Sequence, residues 1–139
     1  MTNISFDNRE GEVKRILVID DEPAFTNVVT LTLEGTENYK VCVENDPCRA
    51  ITTGREFRPD IIILDEIMPG MFGDELHRHF MDDSVLKHVP VIFLTAVIRQ
   101  SEVDACHGRI GGAFVMAKPV SSDALINAIE DHLCCGARI

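Results

Sequence analysis

A chain of 139 residues that is 45% hydrophobic holds enough apolar side chain for one domain with a real core, which argues against a disordered chain. With 13 Lys and Arg against 23 Asp and Glu, its net charge of −10 repels phosphate backbones and anionic lipid, so neither nucleic acid nor membrane is expected as a direct partner. The cysteines (Cys42, Cys48, Cys106, Cys134 and Cys135) are odd in number and form no CxxC, so they read as reduced thiols and not as a disulfide framework.

Residues 1–13 lack the basic start and apolar stretch of a signal peptide and read as a flexible leader. No apolar run approaches the length of a membrane span, so a soluble, cytoplasmic protein is expected. From residue 14 to residue 135 apolar runs alternate with amphipathic segments, which reads as one domain followed by a tail, 136–139. Ile16-Leu17-Val18-Ile19 is the first predicted strand. Pro23 stands where a first helical turn begins, and Phe25, Val29 and Leu33 recur every four residues. Lys40 to Glu44 alternates polar and apolar residues, as an edge strand does. Asp46-Pro47 sets a capping carboxylate before a helix-starting proline, leading into Ala50, Ile51, Gly54 and Phe57.

Ile61 to Leu64 is the third predicted strand, Phe72, Leu76 and Phe80 mark the third helix, and Val91 to Leu94 is the fourth strand. Gln100 to His107 is a polar, poorly defined fourth helix, and Ala113 to Ala117 a weaker fifth strand. Ser121 or Ser122 caps the last helix, whose stripe is Leu125, Ile126, Ile129 and Leu133 and whose end is expected near Leu133. Short, continuous β-branched runs suit parallel strands covered on both faces. Strand then helix, five times over, implies an α/β fold: a parallel sheet with helices on both sides and right-handed crossovers.

The strands run out into polar residues that packing does not require. Asp20-Asp21 follow the first strand, Asp65 the third, Thr95 the fourth and Lys118-Pro119 the fifth. Singly, each has an ordinary reading: the acids as turn or cap residues, the threonine as a strand-end hydroxyl, the lysine as a solvated loop residue. In an open α/β sheet, however, ligands bind outside the carboxyl ends of the strands, and these groups all fall on that edge. Three carboxylates in one crevice repel one another unless a divalent cation neutralises them, and hard carboxylate oxygens suit Mg²⁺. A cation, a lysine and a hydroxyl donor are what a phosphoryl group needs. Asp65 is then both a candidate ligand and a candidate nucleophile, since carboxylates form acyl phosphates. The chain has no GxxxxGK loop for a nucleotide, so the expected donor is another protein's phosphoryl group.

The segments Val18-Ile19-Asp20-Asp21-Glu22-Pro23, Leu64-Asp65-Glu66-Ile67-Met68-Pro69-Gly70-Met71-Phe72-Gly73, Val91-Ile92-Phe93-Leu94-Thr95-Ala96 and Lys118-Pro119 resemble the receiver domain of response regulators over roughly residues 14–135. The resemblance implies a flavodoxin-like, doubly wound (βα)5 fold with a five-stranded parallel sheet in the order 2-1-3-4-5. It implies that Asp65 accepts phosphate from a histidine kinase or phosphotransfer protein, and that Asp20, Asp21, Asp65 and the Ile67 backbone carbonyl hold Mg²⁺. Thr95 and Lys118 would contact the phosphoryl group, Pro119 would place the lysine, and Met68, Pro69 and Gly73 would shape the loop after the third strand. Such a chain is no enzyme beyond its own phosphorylation and dephosphorylation.

Two positions depart from the family pattern. Val115 stands where an aromatic switch residue is usual, and strand alternation points the adjacent Phe114 to the opposite face. Ile67 stands at a position that faces the site in the family pattern and offers no polar group to position an attacking water, so moderately slow self-dephosphorylation is expected, and a phospho-Asp65 lifetime of seconds would contradict it. The histidines His77, His79, His88 and His107 read as surface residues, and His132 beside Cys134 and Cys135 supplies too few ligands for a recognised metal site. With no effector segment expected after the last helix, output is expected through protein contact at the face of the fourth helix, fifth strand and fifth helix. A monomer or a phosphorylation-dependent dimer both fit. The alternatives are an interaction module that is never phosphorylated and a receiver excised from a hybrid kinase or larger regulator. A haloacid-dehalogenase-type phosphatase wants Asp-x-Asp after its first strand, and the acids here are adjacent.

Overall fold

The computed structural model describes residues 13–68, 70–96, 109–110, 113–118 and 120–136. Five parallel strands, β1 (Lys14–Ile19), β2 (Tyr39–Glu44), β3 (Ile61–Asp65), β4 (Val91–Thr95) and β5 (Ala113–Ala117), pair in the spatial order β2-β1-β3-β4-β5. The order is the doubly wound one expected from the sequence. Arg109–Ile110 was not foreseen: it pairs antiparallel with β5, so a two-residue strand extends that edge of the sheet.

Every residue of Ile16–Ile19, β3 and β4 is buried, as continuous apolar runs require when helices cover both faces. Alternation then sorts them. Leu17, Ile19, Ile62, Leu64, Phe93 and Val115 pack on one face with Ala50, Leu76 and Phe80. Those helical residues come from α2 (Ala50–Phe57) and α3 (Gly73–Asp82). Ile16, Val18, Ile61, Ile63, Ile92 and Leu94 pack on the other face with Val29 and Leu33 of α1 (Pro23–Glu34) and Leu125 and Ile129 of α4 (Ser122–Gly136). Each fully buried Ile or Leu contributes roughly 1.5–3 kcal/mol. β2 lies at the edge, with Tyr39 buried, Lys40 exposed and Val41 to Glu44 half-buried.

The helix boundaries follow local chemistry. Pro23 opens α1. The Asp46 side chain accepts from Cys48 N at 2.9 Å, but it caps a 3-10 turn, Pro47–Arg49, and α2 begins only at Ala50. Ser121 Oγ accepts from Ala124 N at 3.1 Å and caps α4, which runs to Gly136, three residues beyond the expected Leu133. Phe72 falls in a two-residue hairpin strand before α3, paired with Ile67, and not in the helix. At the opposite end of the sheet, Arg15 N donates to Asp60 Oδ2 at 2.8 Å and Arg15 Nε to the Phe57 carbonyl at 2.8 Å, tying the entry of β3 to β1. The segment Gln100 to His107, assigned to a polar helix from its pattern, lies outside the described residues.

Candidate functional site

Strand register brings the polar strand ends together. Ile19 is level with Leu64, Asp65 with Leu94, and Thr95 with Ala117. Asp20, Asp65, Thr95 and Lys118 therefore leave the sheet on one edge, at the carboxyl ends of adjacent strands. A cleft of about 390 Å³ opens there, lined by Asp21, Glu22, Pro23, Asp65, Thr95, Ala96 and Lys118. Asp20 is only 2% exposed and Asp65 9%, whereas Asp21 stands at the exposed mouth.

Carboxylate oxygens of Asp20, Asp21 and Asp65 all lie within 4.8 Å of one another. Lys118 Nζ balances two of them, at 2.7 Å from Asp20 Oδ2 and 3.6 Å from Asp65 Oδ1. The same ammonium lies 4.2 Å from the centroid of the Phe25 ring. Asp20 is fixed on its other side, where Oδ1 accepts from Glu22 N at 3.0 Å. Asn45 Nδ2 donates to the Asp20 carbonyl at 2.6 Å, holding the first loop against the end of β2. Lys118 N donates to the Thr95 carbonyl at 2.8 Å, so the ends of β4 and β5 are tied at the cleft.

The loop after β3 is shaped by glycine. Gly73 N donates to the Glu66 carbonyl at 2.6 Å, and a Cβ at Gly73 would meet the Asp65 carbonyl oxygen at 2.5 Å and Glu66 Cα at 2.9 Å. Only glycine lets α3 start this close to the end of β3. Gly70 has φ +87°, in the region that glycine alone occupies freely. Met68 is buried in the core. Burial pushes the Glu66 carboxyl above its ordinary value, and the Asp74 and Asp65 carboxylates push it further in the same direction.

The sequence-derived set converges at Asp20, Asp21, Asp65, Thr95, Lys118 and Gly73. Ile67 lies in the hairpin strand Ile67–Met68 directly after Asp65 and Glu66. Pro69 and Pro119 lie outside the described residues. Val115 is buried on the α2–α3 face and Phe114 packs on the other, its ring 4.6 Å from that of His132 in an edge-to-face contact. The two adjacent residues thus face opposite ways, as alternation required. His77 is not the surface residue expected: it is half-buried, its ring 5.4 Å from Phe93, and burial lowers its pKa. His79 and His88 are exposed, and His107 lies outside the described residues. His132 Nδ1 lies 2.8 Å from the Ala128 carbonyl, and the side chains of Cys134 and Cys135 are not among those described. Sequence reasoning passed over Phe25 and Asn45. The strand-end rule applied to β2 would have found Asn45; Phe25 carries no such signal, because its spacing reads as core.

A family model for the response regulator receiver domain matches residues 16–130. The DNA-binding response regulator MtrA of Mycolicibacterium smegmatis is 37% identical over 122 residues, which are 86% of this chain and 50% of MtrA. Protein PilH of Pseudomonas aeruginosa is 30% identical over 117 residues, 84% of this chain and 94% of PilH. The chain thus spans about half the length of MtrA and nearly all of PilH. The receiver domain of the Pseudomonas aeruginosa sensor histidine kinase PA1611, solved with a magnesium ion coordinated in its active-site cleft, shares the fold with a TM-score of 0.74 at 22% identity, over 88% of this chain and 99% of that one. Among the described residues no helix is long and apolar enough to cross a membrane. With its family match spanning most of the sequence and its strand order that of the fold, this chain belongs to the response regulator receiver domain family.

Proposed function

We propose that the chain is a phospho-acceptor switch of a two-component phosphorelay, with Asp65 as the phosphorylated residue. The observation that carries the proposal is the Asp65 carboxylate at the end of a fully buried strand, 3.6 Å from the Lys118 ammonium and grouped with Asp20 and Asp21 within 4.8 Å. An Asp65 oxygen attacks phosphorus in a partner's phosphohistidine. The P–N bond breaks, the imidazole leaves with the electron pair, and an acyl phosphate remains on Asp65. Lys118 pairs with a phosphoryl oxygen, and the Thr95 hydroxyl donates to another.

The donor set fits Mg²⁺: three hard carboxylates, one of them exposed at a cleft mouth with room for waters. Asp20, Asp21, Asp65 and the Ile67 carbonyl would hold it, in keeping with the ion seen in the PA1611 receiver domain. Bound there, the ion supplies positive charge to the phosphoryl oxygens as the group transfers. The expected partners are a histidine kinase or phosphotransfer protein upstream and a protein target downstream, in the cytoplasm. The output surface includes β5 and α4, and either a monomer or a phosphorylation-dependent dimer presents it. An aliphatic residue two positions after Asp65, Ile67, favours moderately slow self-dephosphorylation.

Intact-mass measurement after incubation with acetyl phosphate and Mg²⁺ tests the proposal. A single phosphoryl adduct, absent without Mg²⁺ and absent in Asp65→Asn, is expected. An adduct of equal yield in the variant would refute it.

A further inference from the structure

We infer that Phe25 is a positioning residue for Lys118, a role that rests on the phospho-acceptor reading above. Among the described residues the Lys118 ammonium has three partners: Asp20 Oδ2 at 2.7 Å, Asp65 Oδ1 at 3.6 Å and the face of the Phe25 ring at 4.2 Å from the centroid. The lysine side chain is 15% exposed, so this contact is largely shielded from water, where an ammonium gains most from an aromatic face.

The ring is also held by the site itself. Phe25 N donates to the Glu22 carbonyl at 3.1 Å, and Glu22 N donates to Asp20 Oδ1 at 3.0 Å. One turn of chain therefore carries both the acid that binds the ammonium most closely and the ring that binds it on another side. Two of the three partners are carboxylates needed by a divalent cation and by the phosphoryl group. The ring competes for neither. It keeps the ammonium at the cleft as the carboxylates change partners, and it keeps Lys118 from closing fully on Asp65. Without it the lysine either collapses onto the nucleophile or swings toward solvent, and both slow phosphoryl uptake. Core packing alone would ask for an apolar side chain at position 25 and would be indifferent to its ring electrons.

Replacing Phe25 site-specifically with 4-fluoro-, 3,5-difluoro- and 3,4,5-trifluorophenylalanine drains the ring face at nearly constant shape. Phe25→Leu removes the ring and Phe25→Tyr retains it. Two readouts apply: the ¹⁵N shift of Lys118 Nζ in the ion-free protein, and the rate of phosphoryl uptake from acetyl phosphate at saturating Mg²⁺. The ammonium shift and the rate are expected to change stepwise with fluorination, with Phe25→Leu slower by about three- to thirty-fold and Phe25→Tyr within about twofold of the parent. Thermal melts of the fluorinated proteins are expected to coincide with the parent's. A shift and rate indifferent to fluorination would overturn the inference, as would a shift that moves while the rate does not. If the parent itself takes up no phosphoryl group, the function proposed above fails first, whatever the ammonium shift records.

Discussion

At the scale of single residues, the site depends on what is missing at Gly73 as much as on what is present at Asp65. A methyl group at Gly73 must displace backbone atoms, the Asp65 carbonyl oxygen at 2.5 Å and Glu66 Cα at 2.9 Å. Gly73→Ala is expected to lower stability by about 1–3 kcal/mol and to slow phosphoryl uptake, because the shifted backbone carries Asp65, the proposed acceptor. Urea unfolding and the uptake rate check both halves. His77 gives a pH dependence. Burial against Phe93 lowers its folded-state pKa below the ordinary imidazole value of about 6.5, so the unfolded chain takes up a proton first as pH falls. This contribution to stability is intact above about pH 6.5 and is lost as pH falls through that value toward the lower folded-state pKa. His77→Gln is expected to flatten the melting temperature between pH 7 and pH 5 relative to the parent. An unchanged slope would contradict it.

At the scale of elements, strand ends and caps decide where chemistry can sit. Ser121 Oγ accepts from Ala124 N and starts α4, whose Leu125 and Ile129 close one face of the core. Ser121→Ala is expected to cost about 1 kcal/mol in denaturant unfolding while leaving Mg²⁺ affinity unchanged. The sheet was legible because Ile16 to Ile19, Ile61 to Leu64 and Val91 to Leu94 are apolar on both faces, a pattern that few other folds tolerate. Asp20, Asp65, Thr95 and Lys118 were legible because each directly follows or ends such a run. Other details needed coordinates. The Arg109–Ile110 strand is too short to carry a period, and Ser121 and Ser122 are equally good caps on paper. The 3-10 turn at Pro47–Arg49 replaces a first helical turn with the same residues. Phe25, at helical spacing with Val29 and Leu33, reads as core, yet its ring faces an ammonium about two thirds of the chain away in sequence.

At the scale of the molecule, the fold assembles repulsion that it then has to neutralise. The Asp20, Asp21 and Asp65 carboxylates cluster within 4.8 Å of one another, and Lys118 balances two of them. Mg²⁺ is therefore expected to raise the melting temperature by binding the folded chain and not the unfolded one. Asp20→Ala, which removes a proposed ligand, is expected to reduce that gain, and equal gains in both proteins would place the ion elsewhere. The most direct test of Asp65 as the acceptor is ¹⁹F NMR of the chain with Mg²⁺ and beryllofluoride, a mimic of the acyl phosphate. The account predicts slowly exchanging bound-fluoride resonances that require Mg²⁺ and vanish in Asp65→Asn. Bound resonances that persist in Asp65→Asn would contradict it.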